Sequence, residues 1–138
     1  MDVVVLIGRI LFAALFAVSA YAHFGQTEAM TNYARSKGVP AAKLAVLLGG
    51  VLLTLGALSI LLGLWPDLGA LLLVVFLVPT ALLMHPFWKE TDASAKQMEQ
   101  VQFTKDTALA GASLMLFALF AQVGDDLGLV IVGPLFNL

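Results

Sequence analysis

The sequence has no cysteine. Disulfides, thiol redox chemistry, iron–sulfur clusters and thiolate metal sites are therefore excluded for this chain alone. Charge is also scarce. Charged residues make up 12% of the chain, against about 25% in ordinary globular domains. The formal net charge of −2 leaves no electrostatic footprint for a nucleic acid. There is no glycine-rich phosphate loop and no Ser-His-Asp spacing. Histidine occurs only twice.

What is present instead is apolar: 61% of the 138 residues are hydrophobic. A hydrocarbon layer about 30 Å thick takes ~20 apolar helical residues to cross. Four segments qualify, at about residues 3–22, 44–64, 68–88 and 107–123. In lipid, every backbone donor and acceptor must be satisfied within its own segment or within a closed barrel. The run Leu68-Gly69-Ala70-Leu71-Leu72-Leu73 lacks the alternation of a barrel strand. The sequence thus predicts an all-α integral membrane protein, a single domain over 1–138 built as a four-transmembrane-helix bundle. The first span ends in Ala20-Tyr21-Ala22, which has the shape of a signal-peptidase site. However, the chain opens on Met1-Asp2 without a positive charge, and Arg9 interrupts the apolar run, so it reads as a retained helix.

Basic residues gather in two loops. Arg35, Lys37 and Lys43 lie between the first two spans, and Lys89, Lys96 and Lys105 between the last two. The opposite side carries Asp2, Asp67, Asp125 and Asp126. The positive-inside rule assigns the basic side to the cytoplasm and both termini to the exterior of a plasma membrane. Thr27 to Lys37 reads as a short amphipathic interfacial helix, with Thr27 as N-cap and Gly38 as its closing glycine. Leu127 to Leu138 is too short to span and reads as a tail at the interface or against the bundle. Gly49, Gly56 and Gly63 recur every seven residues and predict a close helix contact, within the chain or with a second copy of it. Ala108, Gly111, Ala112 and Ser113 suggest a similar seam on the fourth span. Pro79 predicts a kink in the third span.

Ionisable residues inside a membrane are expensive, so they are the first candidates for function. Arg9 sits about 9 Å into the first span by helix rise. It is expected to snorkel outward and meet Asp67, Asp125 or Asp126; the alternative is an anion contact inside the bundle. Arg9 and His23 are fourteen residues apart and share one helical face with Phe16 and Ser19. On the basic side, His23, His85, Trp88, Asp106 and Tyr21 fall at similar depth, with Tyr33 and Glu28 nearby. Imidazole, carboxylate and aromatic groups together would suit the head of a quinone or another small molecule. The competing explanation is an interfacial aromatic belt with capping polar groups. Haem ligation by His23 and His85 is disfavoured because both lie at helix ends, and no tight ligand spacing points to a metal.

These residues also carry a resemblance. The first span with Ile7-Gly8-Arg9-Ile10-Leu11, the loop Ser36-Lys37-Gly38-Val39-Pro40, and His85-Pro86-Phe87-Trp88 followed by Gln102-Phe103-Thr104-Lys105-Asp106 resemble the DoxX family of small four-helix bacterial membrane proteins. Asp106 stands where the family pattern leads one to expect Asn. The matching positions include Arg9, His85, Phe87, Trp88 and Lys105. The resemblance implies an accessory or anchoring subunit beside a membrane or membrane-associated redox protein, linked to quinone or sulfur metabolism and not catalytic on its own. A quinone- or lipid-binding electron-transfer protein and a small-solute transporter are the alternatives. No resident cofactor is expected, quinone being the molecule the cluster would suit.

Overall fold

A computed structural model describes residues 1–136; the side chain of Asp125 and residues 137–138 lie outside what it describes. Its long helices are α1 (Asp2–Gly25), α3 (Ala42–Leu62), α4 (Pro66–Met84) and α5 (Ala93–Val123), and a short α2 (Thr27–Ser36) joins α1 to α3. All four long helices are long and apolar enough to cross a membrane. They pack as successive neighbours, α1 on α3, α3 on α4 and α4 on α5.

α1 buries Arg9, Ala13, Phe16, Ala20 and His23. Their spacing of three and four residues makes one stripe, the stripe expected from the Arg9–His23 spacing. Val3, Leu11 and Val18 on the other faces are exposed, as lipid requires. α2 buries Thr31 and Ala34 and packs across α3. Its expected N-cap is displaced by one residue. Gln26 caps the helix, while the Thr27 hydroxyl donates back to the carbonyls of His23 (2.7 Å) and Phe24 (2.9 Å). Gly38 closes it with φ of 78°. Val39 N–H donates to Ala34 and Gly38 N–H to Arg35, the paired bonds of a Schellman turn.

Two expected boundaries change. The third span ends at Met84, and Phe87–Lys89 form a separate 3₁₀ turn. α5 begins at Ala93, far ahead of the expected 107. The Asp92 carboxylate accepts from Ala95 N–H at 2.8 Å and caps a run of helix formers. With 31 residues, α5 is about 46 Å long, so its polar first turns project beyond a ~30 Å hydrocarbon layer.

The glycine seam also divides. A methyl on Gly56 would lie 2.6 Å from Leu73 Cδ2 and 3.1 Å from the Gly69 carbonyl oxygen, and one on Gly49 would meet Phe76 at 3.0 Å. Both glycines therefore serve the α3–α4 contact inside the chain. Gly63 lies past the end of α3, with φ of 63°. The seam is thus filled from within, not left for a second copy. On α5 Ser113 of the expected seam is buried, beside Asp106 and Ala110, while Ala108 is exposed and Gly111 faces open space, so only part of that seam faces inward.

Candidate functional site

Arg9 does not snorkel to an acid. It is 3% exposed, and its guanidinium donates to three carbonyls: Nε to Ile60 (2.7 Å), Nη2 to Leu61 (2.7 Å) and Nη1 to Leu129 (2.8 Å). Two of these acceptors are last-turn carbonyls of α3, which lack helical partners and attract a cation. The third draws in the C-terminal tail. Asp67 has another use: its carboxylate accepts from the backbone N–H groups of Leu135 (2.9 Å) and Phe136 (2.6 Å). Arg9 and Asp67 therefore act separately to fasten residues 129–136 over the acidic end. Every polar atom of the guanidinium is spent on backbone, so no anion site forms there. Asp125, also expected as a partner, has its side chain outside the described residues.

The basic end is built differently. A cavity of about 520 Å³ lies between α1, α2, α3 and α4 and reaches Lys105 and Asp106 on α5. His23, His85 and Asp106 line it together, with Tyr33 and Lys105. Three of the sequence candidates thus converge. Two do not. Tyr21 is 79% exposed and lines a separate apolar groove along α1 and α3. Trp88 packs edge-on against Phe87 and Phe103 and is absent from the cavity wall. Arg9 is at the opposite end. Glu28 is exposed.

Apolar residues form the rest of the wall. Phe76 stands edge-on to His23 at 5.5 Å. Val75, Pro79 and Leu83 line the cavity and are themselves exposed on α4, so it opens sideways toward lipid. Pro79 sits inside α4, where it forfeits a backbone hydrogen bond. The result is a slot with an apolar mouth and a polar floor, a usual form for small-molecule sites.

Glu99, which the sequence reading passed over, organises the floor. Its Oε1 accepts from Tyr33 Oη (2.6 Å) and Lys37 Nζ (2.8 Å), and its Oε2 lies 2.7 Å from His85 Nδ1. Lys37 also donates to Glu90 at 2.8 Å. One carboxylate therefore ties α2, the end of α4 and α5 together. Burial, reinforced by the hydrogen bond to Glu99, pushes the Tyr33 hydroxyl up to about 12. Burial works against the Lys37 charge, but the bonds to Glu90 and Glu99 outweigh it and raise its pKa. Beyond His85, Nε2 stands 3.7 Å from Asp106 Oδ2, and Lys105 Nζ stands 3.6 Å from Asp106 Oδ1. Among the described residues no group of three or more acidic or histidine side chains is arranged to hold a metal.

This arrangement can be set beside known proteins. The sequence pattern of the DoxX family matches residues 4–86, more than half of the chain. The chain belongs to the DoxX family. Its resemblance to DoxX proteins in the stretch 102–112 lies beyond the matched residues. The chain is also similar to inner membrane protein YphA of Escherichia coli (strain K12), at 30% identity over 115 residues, which cover 83% of this chain and 81% of the relative. No solved structure matches it. This DoxX protein is thus a multi-pass membrane protein, and the relative's name carries no activity to transfer.

Proposed function

We propose that this DoxX-family protein holds a lipid-soluble small molecule of the quinone type in the cavity at its basic end. The tail would lie along Val75, Phe76 and Leu83, and the polar head would reach His23, His85 and Asp106. The observation that carries this reading is the convergence of both histidines and a buried carboxylate on one lipid-facing cavity. A belt of unrelated interfacial side chains would not share a cavity. The protein would act as a binding subunit, handing its ligand to or receiving it from a redox partner, and it needs no resident cofactor.

Thermal unfolding in detergent with a long-tailed quinone tests this. Saturation at a hundred times Kd should stabilise the protein by about 2.7 kcal/mol. Ala45→Trp should abolish the effect, because Ala45 lines the cavity and is exposed, so a large side chain there fills the cavity without entering a helix contact. Stabilisation that survives Ala45→Trp would place the ligand elsewhere.

An anchoring subunit without a ligand is the second reading. The apolar groove along α1 and α3, lined by Ala13, Ala14 and Ala17, favours it as a seat for a partner helix. In either case we place the basic end in the cytoplasm and the termini outside. The lack of cysteine makes this easy to check. Lys96→Cys in spheroplasts should resist a membrane-impermeant maleimide, and Asp126→Cys should react. The reverse pattern would invert the assignment.

A further inference from the structure

The hydrogen bonds behind the cavity wall determine what kind of head group it takes. This inference rests on the cavity being a ligand site. His23 Nδ1 lies 2.8 Å from the Ser19 carbonyl oxygen. A carbonyl only accepts, so Nδ1 carries the proton. His85 Nδ1 lies 2.7 Å from Glu99 Oε2. Lys37 and Tyr33 both donate to the other oxygen of that carboxylate, which marks it as an acceptor, so Nδ1 is again the protonated nitrogen. In both rings the second-layer acceptor thus fixes the tautomer and leaves Nε2 as the remaining acceptor.

His85 Nε2 and Asp106 Oδ2 stand 3.7 Å apart, beyond hydrogen-bond distance, so neither takes up the other. Asp106 is buried to 6% exposure. Lys105 approaches only its other oxygen, at 3.6 Å, and already donates to Gln102. Among the described residues, then, His23 Nε2, His85 Nε2 and Asp106 Oδ2 have no donor within hydrogen-bond distance. All three side chains line the cavity, so the cavity is the side from which a donor can come.

We propose that the cavity selects amphiphiles whose head donates hydrogen bonds: a long-tailed phenol, or the dihydroxy form of a quinone in preference to its carbonyl form. The head hydroxyl lodges beside His85 Nε2 and Asp106 Oδ2. Glu99 is a positioning residue that holds the His85 ring in the accepting tautomer. A hydroxyl oxygen about 2.8 Å from one of these atoms gives its single proton to it, the two acceptors standing 3.7 Å apart. A methoxy or carbonyl oxygen at the same point has no proton to give to either.

The test compares a long-tailed phenol with its methyl ether, which has the same carbon frame and no donor. Binding is measured at about pH 8, above the ordinary imidazole range. The phenol should bind at least about tenfold more tightly, the worth of one good hydrogen bond. Nitrogen NMR of histidine-labelled protein, with just two rings to assign, should show both in the Nδ1–H tautomer. Glu99→Gln should admit the second tautomer at His85 and reduce the phenol preference below about threefold. Asp106→Leu, which removes the acceptor, should do so independently if Glu99→Gln folds poorly. Equal binding of phenol and ether would overturn the donor preference while leaving the cavity as a ligand site. An Nε2–H tautomer at His85 in the wild type would overturn it as well. Failure of both probes to bind would remove the ligand site and this inference together.

Discussion

Replacing Arg9 with leucine should produce the largest loss of stability of any single change at the acidic end. The side chain is almost fully buried and makes three charge-assisted bonds, to Ile60, Leu61 and Leu129. Each such bond contributes roughly 1.5–3 kcal/mol net, and an acceptor left bare costs a further ~1–3 kcal/mol. The contributions overlap, so a total of about 3–5 kcal/mol is expected, or on the order of 10 °C in Tm for a chain of this size. Arg9→Lys should fall between. It keeps the charge, but a compact ammonium cannot match a planar fork that addresses three carbonyls. The tail should loosen first, so protease should cut within residues 127–136 of Arg9→Leu before the helices unfold. A variant that melts within about 2 °C of wild type would show that the carbonyls find other partners. Ligand binding by whatever remains folded should be unchanged, because Arg9 contributes nothing to the cavity wall.

Glu99→Leu should have the second-largest effect, at the other end of the molecule. Three groups lose their acceptor: the Tyr33 hydroxyl, the Lys37 ammonium and His85 Nδ1. The Lys37 and Glu99 side chains are only 14% and 11% exposed, so water replaces the missing carboxylate poorly. Lys37 retains Glu90, which limits the loss. A cost of about 2–4 kcal/mol follows. The damage should be local, because Glu99 joins α2 to α5 across the end of α4. Amide exchange should rise through Thr27–Ser36 and leave the core of α3 and α4 protected. Uniform loss of protection along the whole chain, or none at all, would contradict the role assigned to this carboxylate.

How far the sequence could be read depends on where each constraint is written. The four spans were legible because lipid demands long apolar runs, and nothing else in the chain resembles them. The inward face of α1 was legible from the fourteen residues separating Arg9 and His23, since helical phase is a local property. The partners of Arg9 were not. Backbone carbonyls carry no mark in the sequence, whereas acids do, and Asp67 is already engaged with the tail. The early start of α5 was missed because hydropathy reports only the part of a helix that touches lipid. The signal was nevertheless present in Asp92 followed by Ala-Ser-Ala-Lys-Gln-Met-Glu, an N-cap and then helix formers.

That missed boundary hid the key residue of the site. Once 93–106 is helical, Glu99 and Asp106 fall seven residues apart on one face, both pointing inward. Read as a loop, Glu99 had no direction. Tyr21 failed for a related reason. It shares the depth of His23, but two residues rotate a helix by about 200°, which turns it to the opposite face. Depth alone groups residues into a belt; depth combined with phase is what separates the cavity from the belt.

The central claim is that the basic-end cavity, and not the acidic end or the α1–α3 groove, is where this DoxX protein meets a small molecule. The most direct measurement is photo-cross-linking. A long-tailed phenol with a photoreactive group near its head would be irradiated with the protein in lipid nanodiscs and the adducts mapped by mass spectrometry. Adducts should concentrate on Met84, His85 and the α2 residue Met30, all of which line the cavity, and an excess of the unlabelled phenol should compete them away. Adducts spread along the exposed faces of all four helices without competition, or confined to Tyr21 and Phe24 in the other groove, would contradict the account.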